Sequence, residues 1–277
     1  MKYLLKSKHN YNYYMLLLIA ILVSFGCSTD ETQTVATFEN LVMYDEFEAD
    51  GAPSSTLWDY NIGTGANGWG NNELQYYTDR SDNVKVENGM LHIIAREESY
   101  MGSGYTSARI LTKGKYEQQY GRFEARMKLP WGQGLWPAFW LLGADIDNVG
   151  WPQCGEIDIM EYRGQKPTIA LSTIHGPGYS ASEGISDEYI LMNDRYDNGF
   201  NLFAVEWFSD RIDFFVNDAL YHRINKEDVP GEWVFDNPFY MILNLAVGGS
   251  FLGSPNAETV FPQTMLVDYV RVYRDNG

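Results

Sequence analysis

From Leu41 onward, short apolar-rich runs alternate with stretches punctuated by Gly, Asn, Asp and Pro. The runs cover residues 41–47, 84–95, 107–112, 120–128, 138–142, 151–162, 168–175, 202–208, 211–216, 240–246 and 266–273. None repeats at the 3.6-residue period of an amphipathic helix. Several alternate at period two, as in Phe123-Glu124-Ala125-Arg126-Met127-Lys128-Leu129, which places one face of a strand on a core and the other in water. Many short strands with turn signals between them predict an all-β fold, a two-sheet β-sandwich. Residues 38–277 show no internal repeat and no linker, and a chain of 277 residues is long enough to bury one large core. One domain over residues 40–277 is expected.

The stretch before this domain has a different pattern. Residues 1–26 open with Lys2, Lys6 and Lys8 and continue into an apolar run from Met15 to Phe25. That run is too short to span a bilayer as a helix and suits the hydrophobic region of a secretory signal. It ends in Ser24-Phe25-Gly26-Cys27, which resembles the lipobox at which bacterial lipoproteins are cut before an acylated Cys, although Ser24 stands where Leu is usual. An ordinary cleavable signal is the alternative. Residues 27–39 begin Cys-Ser-Thr-Asp-Glu-Thr-Gln-Thr, too polar to bury a core, and read as a tether after a lipidated Cys27. The expectation is an exported protein, lipid-anchored at the outer membrane or cell surface. Cys154 is then a lone, buried structural thiol.

One run departs from simple alternation. Trp151-Pro-Gln-Cys-Gly-Glu-Ile-Asp-Ile-Met-Glu-Tyr162 sets three acids, Glu156, Asp158 and Glu161, in a β-favouring apolar sequence. Glu156 and Asp158 share a face of a regular strand, but Glu161, five residues after Glu156, points away. A β-bulge at Met160 restores the phase, and bulges are common beside active sites because they re-aim a side chain. With the bulge counted as one step, Glu156 and Glu161 sit roughly 13 Å apart along the backbone at about 3.3 Å per residue. Side chains that lean together approach the ~5 to 5.5 Å carboxyl separation of retaining glycoside hydrolysis. An amphipathic edge strand with a solvated acidic face shows the same pattern.

Composition narrows the choice. The formal net charge is −17, and leaving out the three lysines of residues 1–26, which hold no acid, makes it −20. Such a chain repels nucleic acid and anionic membrane surfaces, and it favours neutral over sulfated or uronate-rich glycans. Membrane contact is expected only through the lipid. Aromatic residues make up 15% of the chain, including 8 Trp, and flat rings stack on sugar faces as well as filling cores. Two cysteines build no disulfide framework, and no phosphate loop, dinucleotide fingerprint or His/Cys metal cluster is present.

The acidic run also resembles the signature of glycoside hydrolase family 16, in the bulged E-x-D-x-x-E form of laminarinase-like endo-β-1,3-glucanases. The resemblance extends through GWGNNELQYYT (68–78), SARILTKGK (107–115), YGRFEARMKLPWGQGLWPAFWLLG (120–143), STIHGPGYS (172–180), FAVEW (203–207), NLAVGG (244–249) and VDYVRVY (267–273). It implies a concanavalin-like jelly roll with a concave cleft, and retaining hydrolysis of internal β-1,3 bonds in laminarin-type β-glucan. Glu156 would be the nucleophile, Glu161 the acid/base and Asp158 the residue that tunes the nucleophile, with His175 hydrogen-bonding beside them. Asn72 and Arg109 would bind sugar, and Trp131, Trp136, Trp140 and Trp151 offer indoles along the cleft, Trp136 and Trp140 from one face of a strand. The resemblance also implies a structural Ca²⁺ held by Glu46, the backbone at Gly89 and Asp268, and no cofactor for catalysis. A monomer is expected. A mixed-linkage β-1,3-1,4-glucanase and a non-catalytic surface glycan-binding protein are the alternatives on the same fold.

Overall fold

The computed structural model describes residues 38–274; the signal, most of the tether and Cys27 lie outside them. Two sheets face each other. The ten-stranded sheet holds β1 (Asn40–Asp45), β3 (Gln75–Tyr77), β4 (Val84–Glu87), β5 (Met90–Tyr100), β6 (Ser103–Ser107), β8 (Gly121–Lys128), β13 (Asn201–Trp207), β14 (Arg211–Val216), β15 (Ala219–Asn225) and β17 (Gln263–Arg274). The seven-stranded sheet holds β2 (Asp59–Tyr60), β7 (Arg109–Leu111), β9 (Leu135–Gly143), β10 (Glu156–Tyr162), β11 (Ile169–His175), β12 (Ile185–Ile190) and β16 (Phe239–Val247). Its order is β12-β11-β10-β9-β16-β7-β2, so the acidic strand β10 lies inside the sheet between β9 and β11. This is the expected two-sheet sandwich of the jelly-roll kind.

The core lies between the two inward faces. Leu135, Phe139 and Leu141 of β9 and Met241, Leu243, Leu245 and Val247 of β16 belong to one buried cluster with Phe123, Ala125 and Met127 of β8, Phe203, Val205 and Trp207 of β13, and Val267, Val270 and Val272 of β17. Each large side chain buried there contributes roughly 1.5–3 kcal/mol by leaving water. All nine residues of β16 are buried, because on its second face Tyr240 and Ile242 pack with Leu111, Leu142 and Cys154 while Asn244 bonds to side chains of the site described below. That double burial explains its almost unbroken apolar sequence.

The outer face of the ten-stranded sheet explains the charged positions of the alternating strands. Arg122, Glu206, Asp213 and Arg223 lie opposite one another across β8, β13, β14 and β15. Arg122 binds Glu206 at 3.0 Å and Glu124 at 2.8 Å, while Arg223 and Arg211 bind Asp213 at 2.6 and 3.2 Å. The arginines offset the repulsion that Glu206 and Asp213, buried side by side, would otherwise exert.

Three local departures from the sequence reading have clear causes. Residues 84–95 form two strands, because Asn88 and Gly89, both at positive φ, make a tight hairpin turn. Ser107 ends β6 and Arg109 begins β7, so residues 107–112 divide between the sheets. Strand β12, Ile-Ser-Asp-Glu-Tyr-Ile, is polar because it is an exposed edge, where charges discourage pairing with another chain.

Candidate active site

The bulge expected in β10 is present. Asp158 pairs with Trp140 and Glu161 with Ala138, so three steps on β10 face two on β9, and the same shift recurs against Thr173 and Leu171 of β11. Ile159 and Met160 both turn into the core. Glu156, Asp158 and Glu161 therefore emerge on the opposite face of the sheet. Cross-strand pairing adds neighbours on that face: His175 beside Glu156, Thr173 beside Asp158, and Asn244 of β16 between Arg109 and Ala138.

The three acids have different surroundings. The atoms through which Glu156, Asp158 and His175 face one another all lie within 4.8 Å. His175 Nε2 is 3.3 Å from Asp158 Oδ2 and 3.8 Å from Glu156 Oε1. Burial, then the charge of Asp158, pushes Glu156 up to about 8, with His175 and Arg109 acting in the other direction. Burial, then the charge of Glu161, raises Asp158 well above the usual carboxylate range. Asp158 is the more enclosed of the two, its side chain 6% exposed against 19% for Glu156. Glu161 accepts hydrogen bonds from Trp136 Nε1 at 3.1 Å and Thr173 Oγ1 at 3.4 Å. Burial raises it too, offset by His175, Trp136, Thr173 and Arg163. Burial and mutual repulsion raise all three carboxyls, so they share protons rather than ionise together.

His175 is held by shape. Its ring lies 6.0 Å from that of Trp151, and a Cβ added at Gly184 would stand 2.4 Å from His175 Cε1 and 2.6 Å from Nδ1. Glycine at 184 leaves the space that the imidazole fills.

The other expected site residues divide by what they touch. Arg109 lies 4.7 Å from the Trp140 ring and 4.9 Å from that of Trp69, stacked between two indoles. Trp140 donates to Asn244 Oδ1 at 2.7 Å, Asn244 to Tyr77 at 3.3 Å, and Tyr77 to Glu73 at 3.2 Å, a polar chain along the floor of the face. Asn72 donates to Ser250 Oγ at 2.9 Å and so fastens a neighbouring loop. Trp151 and Trp131 are 43% and 44% exposed, but Arg195 lies 5.3 Å over the Trp131 ring. Glu73, Trp69, Thr173, Asn244 and Phe251 were not singled out from the sequence. Glu73 and Trp69 sit with Tyr77 in the GWGNNELQYYT block, but their convergence on Arg109 depends on contacts distant in the chain.

The Ca²⁺ expectation is not met by the side chains as arranged. Both carboxylate oxygens of Glu46 are taken by Arg271, at 2.7 and 3.0 Å, and Asp268 accepts from Arg126. Ca²⁺ needs several oxygens free to face one point, and these two acids instead face guanidinium groups. Cys154 is buried as expected, and burial raises its thiol to about 11.

Known proteins share this arrangement of strands. Residues 71–271 match the family described as Glycosyl hydrolases family 16. A beta-glucanase of Rhodothermus marinus is 42% identical over 271 residues, covering 93% of each chain. An endo-beta-1,3-glucanase from Pyrococcus furiosus is 48% identical with a TM-score of 0.80, over 84% of this chain and 93% of that one. The catalytic domain of an endo-1,3-beta-glucanase (laminarinase) from Thermotoga petrophila RKU-1 is 45% identical with a TM-score of 0.83, over 88% of this chain and 100% of that one. Match and identity both extend across the acidic strand and the strands that flank it, and the chain belongs to glycosyl hydrolases family 16.

Proposed function

We propose that this chain is a retaining endo-glucanase that hydrolyses internal β-1,3 bonds of laminarin-type β-glucan, with Glu156 as nucleophile and Glu161 as general acid and base. The observation that carries the reading is the bulge in β10, which sets two glutamates in different environments on one face of the sheet. In the first step a Glu156 oxygen bonds to the anomeric carbon as the bond to the leaving sugar oxygen breaks, and Glu161 gives that oxygen its proton. In the second, Glu161 takes a proton from water, the water oxygen bonds to the anomeric carbon, and Glu156 departs as a carboxylate. Asp158, more enclosed than Glu156, keeps the proton that the two share, so that Glu156 is the one ionised for attack. His175 faces both from its slot against Gly184. The chain works as a monomer outside the cytoplasm, held by a lipid on Cys27.

Parallel digestion of laminarin, curdlan and mixed-linkage barley glucan tests the substrate. Laminarin and curdlan should yield short oligosaccharides, the new reducing ends appearing first as the β anomer by proton NMR. Barley glucan cut rapidly with laminarin untouched gives the mixed-linkage reading instead, and binding without cleavage of any of the three gives the surface binder.

The slot of His175 carries a separate expectation. Gly184→Ala places a methyl where Cε1 and Nδ1 now sit, so the ring must leave the acids. Turnover on laminarin should fall roughly tenfold or more, the scale of small misplacements at a reacting centre. His175→Ala should remove part of that difference, the remainder coming from Thr173 Cγ2, which the methyl would still approach to 2.8 Å. Equal losses from Gly184→Ala in both backgrounds would detach Gly184 from His175.

A further inference from the structure

The loop after β16 delivers an aromatic ring into the site from outside any strand. It is tied on three sides. Ser250 N donates to Asn71 O at 2.7 Å and Asn72 to Ser250 Oγ at 2.9 Å; Gln133 and Gln165 donate to Leu252 O at 2.7 and 3.1 Å; Gly253 N closes onto Gly249 O at 2.9 Å. Gly249, at φ +109, passes under the Trp136 indole, where a Cβ would come within 3.3 Å of Cζ3. A backbone fastened at so many points holds its side chains in place.

The side chain so placed is Phe251. Its ring centre is 4.9 Å from that of Trp136, and the Arg163 guanidinium lies 4.9 Å over it. Arg163 is fixed in turn by a 2.9 Å bond to Glu188 on the edge strand β12. Cation, phenyl ring and indole thus form a continuous stack from the edge of the sheet to Trp136, whose Nε1 donates to Glu161 Oε1. An indole has two side-chain torsions, and this one is held by the Gly249 backbone, the Phe251 ring and its own hydrogen bond.

We propose that Phe251 is a positioning residue for Glu161, holding the Trp136 indole in the orientation that donates to Oε1, with Arg163 bracing Phe251 from behind. This rests on the reading of Glu161 as general acid. It gives Trp136 the task of steering the proton donor, beyond offering a surface to sugar, and it gives Asn72 a task in fastening the loop. Glu161 must be protonated to deliver its proton, so activity falls as pH rises through its titration. The Trp136 N–H stabilises the carboxylate. Its loss moves the alkaline limb of the pH profile upward while the misplaced acid transfers its proton more slowly.

The test compares phenyl and 2,4-dinitrophenyl β-laminaribioside, following kcat/KM, which reports only the steps up to the glycosyl-enzyme. Dinitrophenolate leaves without a proton and phenolate needs one. Glu161→Ala examines the underlying reading first: it should depress the phenyl substrate far more than the dinitrophenyl one, and equal loss would reject the general acid itself. Given that selectivity, Phe251→Ala should lower kcat/KM for the phenyl substrate about tenfold and for the dinitrophenyl substrate less than twofold, with the alkaline limb displaced upward. Trp136→Phe, which also alters a surface offered to sugar, should lower both substrates but the phenyl one about tenfold more, and Phe251→Ala should add little to that selectivity in the Trp136→Phe background. Phe251→Leu, which keeps apolar bulk, should recover part of the loss and controls for folding. Equal losses on both leaving groups, or a full additional loss in the double variant, would overturn the assignment and make Phe251 a contact for sugar or for the fold.

Discussion

Glu156→Gln is expected to reduce kcat on laminarin by roughly four to six orders of magnitude, the scale seen when a covalent nucleophile is removed and binding is left in place. The amide keeps the shape of the carboxyl but cannot form the glycosyl ester, while the stacked Arg109 and the indoles that would receive the glucan are untouched. Binding of laminarin should persist, measured by calorimetry or affinity electrophoresis. Near-normal turnover would reject Glu156 as nucleophile. The same variant carries an expectation about stability with an opposite sign. Burial beside Asp158 holds Glu156 up at about 8 in the folded chain, against 4.5 when unfolded, so the folded state binds more protons between those values. Stability contributed by this group is therefore present below pH 4.5 and is lost as pH rises toward 8. A glutamine has no such loss, and Glu156→Gln should melt higher than the parent at pH 8, by roughly 2–4 °C for each kcal/mol recovered, with a smaller difference at pH 5. Equal differences at both pH values would show that the carboxyl is not strained by its surroundings.

The acidic strand was the most legible part of the molecule because its irregularity was visible in the sequence. Glu161 stands five positions after Glu156, an odd spacing in a run that otherwise alternates, and the bulge follows if both acids face one way. Met160 reads as the extra residue, and it and Ile159 are both in the core. The pairing of faces was equally legible for Trp136 and Trp140, an even number of positions apart. Their partners were not. Trp140 spends its N–H on Asn244, more than a hundred residues away, and shares its face with Arg109, so its place beside sugar is narrower than an exposed indole would have.

Loops were the least legible. Phe251 lies in Gly-Gly-Ser-Phe-Leu-Gly-Ser, which carries no periodicity, and its position depends on hydrogen bonds from Asn72, Gln133 and Gln165 and one to Asn71 O, brought together only by the closed sheets. Strands β2 and β3, two and three residues long, are too short to show alternation, and the middle of β12, Ser186-Asp187-Glu188, is polar on both faces. Glu46 and Asp268 offer hard oxygens that suggest a cation, but in the folded chain Arg271 and Arg126 stand against them, pairings between separate segments that alternation along one strand does not reveal.

Glu161→Ala is the second large effect, and it separates the two carboxyls by what each does rather than by how much each matters. On laminarin the leaving oxygen must be protonated, and loss of the general acid should cost roughly 10²- to 10⁴-fold in kcat/KM. Burial keeps Glu161 above the usual carboxylate range, so in the parent chain the acid remains protonated into a higher pH range than a free glutamic acid, and activity falls as pH rises through its titration. That alkaline limb should be absent from the variant. On 2,4-dinitrophenyl laminaribioside the first step proceeds without a proton, but the second has lost its base, so one equivalent of dinitrophenolate per enzyme should appear in a burst before slow turnover. Azide needs no base. It should enter the space left by the alanine, attack the glycosyl-enzyme in place of water, and release the β-glycosyl azide, with the anomeric carbon exchanging its Glu156 oxygen for nitrogen. In Glu156→Ala, by contrast, azide would approach from the opposite face, displace dinitrophenolate directly and give the α-glycosyl azide. The two products differ in the coupling of one anomeric proton, and an α-azide from Glu161→Ala would exchange the roles assigned to the two glutamates.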